Sequence, residues 1–131
     1  MGAGWNRAQP WGMGRIRRGE EQEVFVDRFA LLALLKAKPG KEKEVEAFLI
    51  SAQPLAATEI GTTSWFALKL GPDQYGIFDS FRDEAGREGH LNGEIAKVLV
   101  ARANELFAEP PQIVKLDVLA AKEAVAGLKA A

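Results

Sequence analysis

The chain contains no cysteine and only one histidine, His90. The first absence excludes disulfides, thiolate metal sites and cysteine nucleophiles. The second excludes a histidine-rich zinc site. An excess of one charge is also missing: 17 basic and 18 acidic residues leave a formal net charge of −1. Electrostatics therefore points to no nucleic-acid partner. The apolar run "FALLALL" at Phe29–Leu35 is far shorter than the roughly 20 residues that cross a bilayer. Glu20, Glu21, Glu23 and Asp27 precede it and "KAKPG" follows it in place of a small-residue cleavage site, so it reads as a strand and not as a signal peptide. Asn6 stands where a myristoylation signal needs Ser or Thr. Phosphate-loop, dinucleotide and nucleophile-elbow motifs are absent too. The expectation is a cytoplasmic protein with no metal, no cofactor, and no membrane or nucleic-acid partner.

What is present suits one globular domain. Of 131 residues, 47% are hydrophobic and 27% charged, enough to bury a core without staples. Residues 1–27 mix Gly, Pro and charge without a period and read as an extension, mobile or loosely docked, with Trp5 and Trp11 available to dock. The domain proper is expected over residues 28–121, and residues 122–131 read as a short, alanine-rich helical tail.

Within the domain, Phe29–Lys38 is apolar on both alternating sets, the pattern of a strand buried on both faces. Lys41–Ala52 carries Val45, Phe48, Leu49 and Ala52 at helical spacing, and Pro54 is expected to end that helix. Thr62–Leu70 and Tyr75–Phe81 are strands joined by the turn "GPDQ". Asp83 is placed to cap a helix that Gly86 and Gly89 weaken and Gly93 closes. Glu94–Phe107 is a stronger amphipathic helix, and Gln112–Ala120 is the last strand.

The order is β-α-β-β-α-β with a split second helix, so the fold class is α+β, ferredoxin-like, an antiparallel sheet with its helices on one face. The first strand then leaves apolar surface on the other face, more than a monomer usually exposes. A second copy related by a two-fold axis is the simplest cover, which predicts a homodimer.

"LLALLKAKPGKEKEVEAFLISAQPL" followed by "GTTSWFALKLGPDQYGIFDSFRDEAGREGHLNG" resembles the antibiotic biosynthesis monooxygenase family of the dimeric α+β barrel superfamily. The marks are "KPGKE", the Phe78–Phe81 end of the third strand with Asp79, "RDEA" at Arg82–Ala85, and His90-Leu91. The resemblance implies a homodimeric α+β barrel with a pocket between sheet and helices. It also implies an oxygenase that uses no cofactor and acts with O2 on a small aromatic or quinol-like molecule.

Carried onto this chain, His90 is a proton donor or base, and Asp79 a further catalytic candidate. Trp65, Phe81, Tyr75 and Phe78 are candidates for holding the ring. Each has a plain structural alternative: His90 as a residue near a helix end, Asp79 at a strand edge, the aromatics as core. Phe81 and Val100 stand where haem-degrading relatives carry tryptophan and histidine, which argues against haem breakdown. Gly93-Glu94 replaces the second histidine common in relatives, which favours a non-catalytic binding or stress-response protein as the alternative. An isomerase using Asp79 and His90 is a third reading.

Overall fold

The computed structural model describes residues 15–18, 22–25 and 27–122. Its main sheet is built from Phe29–Lys36 (β3), Thr62–Lys69 (β4), Gln74–Phe81 (β5) and Gln112–Asp117 (β6), in the order β4-β5-β3-β6 with all neighbours antiparallel. Helices Glu42–Ala57 (α1), Glu84–Leu91 (α2) and Glu94–Leu106 (α3) complete the α+β ferredoxin-like arrangement. The split of the second helix is as expected: Asp83 accepts a hydrogen bond from the Gly86 backbone N–H at 2.8 Å, capping α2. Asn92, not Gly93, is its C-terminal cap, and Gly93 instead precedes α3.

Within the expected extension two short strands pair, and further along the chain one local expectation fails. Residues 15–18 (β1) pair antiparallel with residues 22–25 (β2), Arg15 opposite Phe25 and Arg18 opposite Gln22. Four-residue strands are too short for a hydrophobic period to register. Trp5, Trp11 and the tail beyond Lys122 lie outside the described residues. Pro54 does not end α1, which continues to Ala57. A proline removes the hydrogen bond to the carbonyl four residues back, here that of Ile50, which is solvent-facing. Ala52 and Ala56 hold the last turn by packing with Ile95 and Trp65.

Strand pairing sorts the side chains by face, because residues opposite each other in register point to the same side. On the helix-covered face, Trp65, Asp79, Leu31 and Lys115 form one row, and Ala67, Ile77, Ala33 and Ile113 the next. Ala33, Leu35, Tyr75 and Ile77 pack there with Val45, Phe48, Leu49, Leu99 and Leu106 as the core. On the other face, Phe66, Phe78, Leu32 and Val114 form an apolar row across all four strands. Phe66 there is 53% exposed. No helix among the described residues is long and apolar enough to cross a membrane.

A buried histidine between two carboxylates

Asp79 lies on the helix-covered face of β5, and α2 runs over that end of the sheet. Its last turn lowers His90 onto Asp79 and Phe81. The imidazole is 9% exposed, Asp79 only 1%. His90 Nε2 is 2.9 Å from Asp79 Oδ2. Its N–H is not aimed well enough for a hydrogen bond, and both Asp79 oxygens are buried without a hydrogen-bond partner. Asp79 and the ring form a close buried ion pair. On the other side His90 Nδ1 donates to Glu59 Oε1 at 2.6 Å, and Thr62 Oγ1 donates to the same oxygen at 2.9 Å. The Phe81 ring, fully buried, backs the imidazole at 5.4 Å between centroids.

Burial alone would push the His90 pKa down. The Asp79 contact and the Glu59 hydrogen bond outweigh it and raise the pKa from 6.5 to about 9. At neutral pH the ring is therefore an imidazolium with a carboxylate at each nitrogen.

Glu59 carries no periodic signal in the sequence, since it sits in the loop after α1. Tertiary closure brings it to the site. The backbones of Gly61 and Gly86 meet so closely that a methyl group on Gly86 would lie 2.8 Å from the Gly61 carbonyl oxygen. Gly86 is thus a packing requirement, whereas a methyl group on Gly89 would meet nothing within 4 Å. Gly86→Ala is expected to destabilise by about 1–3 kcal/mol through overpacking, despite a helix-propensity gain of about 1 kcal/mol. Gly89→Ala is expected to stabilise by up to about 1 kcal/mol. Urea midpoints of the two variants check the contrast, and equal shifts would remove the packing role given to Gly86.

His90 and Glu59 border an open cleft of about 400 Å³ between the end of α1, its following loop, α2 and the start of α3. Gly61, Gly86, Gly89 and Gly93 form much of its wall, with Glu94 at the rim. The structure brings His90, Asp79 and Phe81 together, but the four candidate ring-holding aromatics do not line this cleft. Phe81 is sealed behind the imidazole. Trp65 is the cross-strand neighbour of Asp79, its indole nitrogen is buried without a partner, and it borders an adjacent groove of about 260 Å³. Tyr75 lies four residues up β5, about 13 Å at the usual rise, and donates its hydroxyl to Glu46 Oε2 at 2.6 Å. Burial and that bond push its pKa up to about 12, so it is a fixed structural donor. Phe78 points to the opposite face of the sheet. Among the described residues no group of three His, Asp or Glu side chains is arranged to hold a metal ion.

No protein-family model and no curated protein matches the chain. Solved structures do. The Caulobacter crescentus protein provisionally named an antibiotic biosynthesis monooxygenase is 21% identical, with 74% of this chain and 94% of that one covered and a TM-score of 0.62. A Nitrosomonas europaea protein of the same provisional name is 13% identical, with coverage of 72% and 94% and a TM-score of 0.64. At such identities the likeness shows the fold alone. The NE2512 protein of Nitrosomonas europaea, whose function is unknown, is 53% identical over 76% of this chain and 97% of its own, with a TM-score of 0.74. On that identity and coverage, the chain belongs to the same family as NE2512.

Proposed function

We propose that this protein binds a small aromatic, quinol-like molecule in the His90 cleft and oxygenates it without a cofactor. The observation that carries the reading is the placement of His90 at the cleft wall, between buried Asp79 and the partly exposed carboxylate of Glu59. In such a row Glu59 receives the substrate's O–H proton. His90 supplies positive charge beside the developing oxyanion. Its pKa, raised to about 9, favours the protonated ring at neutral pH, so in this reading it is not the base. Asp79 keeps it protonated and Phe81 fixes its position. The substrate anion supplies the electrons: one oxygen atom of O2 is inserted at a ring C–H, the two quinol O–H groups become carbonyls, and their hydrogens leave with the other oxygen atom as water, giving a hydroxyquinone. Oxygen uptake by metal-free protein with a panel of hydroquinones and related ring ketones tests this. His90→Gln should lower turnover at least tenfold; equal turnover in the variant would end the assignment.

One observation favours a second reading, non-catalytic binding. Both imidazole nitrogens already face carboxylates, leaving no free N–H for a substrate. Recovery of unchanged ligand by mass spectrometry after aerobic incubation would decide for it.

The same proposal makes the protein a homodimer. The row Phe66–Phe78–Leu32–Val114 lies opposite the helices, and Leu68 and Leu70 extend the exposed apolar surface. At roughly 25 cal/mol per Å², covering a few hundred Å² with a second copy contributes several kcal/mol. Sedimentation at micromolar concentration is expected to give twice the chain mass. A stable single-chain species would refute it.

A further inference from the structure

The charges around the cleft restrict its ligand more narrowly than the fold does. Among the described residues, the charged ones lining it are Glu59, Glu94 and His90, with no lysine or arginine. Asp79 lies directly behind His90. The imidazolium thus faces two carboxylates, Glu59 and Asp79, and a third, Glu94, lines the same cleft.

Two nearby features could have favoured an anion, and both are already engaged. The start of α3 opens at Gly93, where backbone N–H groups and the helix dipole attract negative charge. Glu59 Oε2 is already there, since a methyl group on Gly93 would fall 3.1 Å from it, and Glu94 occupies the first turn. Arg87, one turn before His90 on α2, turns away from the cleft: its Nη1 donates to the carbonyls of Ala30 and Leu116 at 3.3 and 3.1 Å.

We infer that the cleft selects by charge, accepting uncharged or cationic ligands that bring hydrogen-bond donors and rejecting carboxylated or phosphorylated ones. The inference rests on the His90 cleft being the binding site and goes beyond that reading in naming the ligand's charge class. Glu59 Oε2 and the Glu94 carboxylate are the acceptors that such donors meet. An added anionic group finds no lysine or arginine among the described lining residues to pair with, and the His90 imidazolium is already engaged by carboxylates; burying an unpaired charge is strongly unfavourable.

A matched series on one ring tests this. Hydroquinone, 2,5-dihydroxybenzoate and 2-(aminomethyl)hydroquinone are titrated at pH 7 into the full chain without oxygen, followed by calorimetry. The benzoate is expected to bind at least tenfold more weakly than hydroquinone, and the amine at least as tightly. Glu94→Gln, a change at an exposed position, should narrow the gap between benzoate and amine at least threefold. Benzoate binding equal to hydroquinone, a gap unchanged in Glu94→Gln, or binding by none of the three would overturn the inference. Because no turnover occurs under these conditions, a failure of oxygen uptake in air bears on the oxygenation reading alone.

Discussion

His90→Ala is expected to lower the unfolding free energy at pH 7 by about 3–5 kcal/mol, the usual cost of removing one partner from a buried ion pair. The cost arises mainly at Asp79. That carboxylate is 1% exposed and neither oxygen has a hydrogen-bond partner, so the imidazolium 2.9 Å away is its compensation for lost hydration. Taking the charge from both sides should undo much of the damage. The double variant Asp79→Asn/His90→Ala is expected to recover at least half the loss, with a coupling energy of about 1–3 kcal/mol between the two positions. Glu59→Gln should cost only about 1 kcal/mol, because Glu59 is partly solvated and Thr62 still reaches the side-chain oxygen. Urea unfolding of these three variants, of the single Asp79→Asn variant and of wild type measures all of this. If His90→Ala and the double variant lose the same stability, the buried pair is not what His90 holds together.

The asymmetry between Asp79 and Glu59 also explains what could be read from the sequence. Asp79 and His90 stood out because each interrupts a pattern: an acid inside an aromatic strand, and the chain's only imidazole on a glycine-rich helix. Glu59 is one of 18 acidic residues and lies in a loop, where periodicity says nothing. Its role depends on the close approach of Gly61 to Gly86, a contact between segments far apart in sequence that no local rule encodes. The strands and helices were legible because their alternation and helical spacing are set by the same burial that builds the core. The position of Phe78 was legible too. Side chains in a strand alternate between faces, so Phe78 had to oppose Asp79 and Phe81, and grouping all three at one site ignored that parity. Pro54 misled for the opposite reason. The proline rule is local, while the helix end is held by Ala52 and Ala56 against residues from other elements.

Stability should fall as pH rises from about 6.5 toward and through 9, by about 2–3 kcal/mol in total. In the unfolded chain His90 titrates near 6.5; folded, between Asp79 and Glu59, it keeps its proton to about pH 9. Between those values the folded state binds the extra proton, so each unit of alkalinity costs up to about 1.4 kcal/mol. Below pH 6.5 both states are protonated and the full contribution is present; above 9 both are neutral and it is gone. The Tyr75 phenol, raised to about 12, titrates outside this window. Urea midpoints for wild type and His90→Gln across pH 6–9.5 isolate the imidazole. Wild type should decline over the interval while the variant stays level within about 0.5 kcal/mol. A decline of equal slope in both proteins would assign the proton to another group and remove the charged clamp from the site.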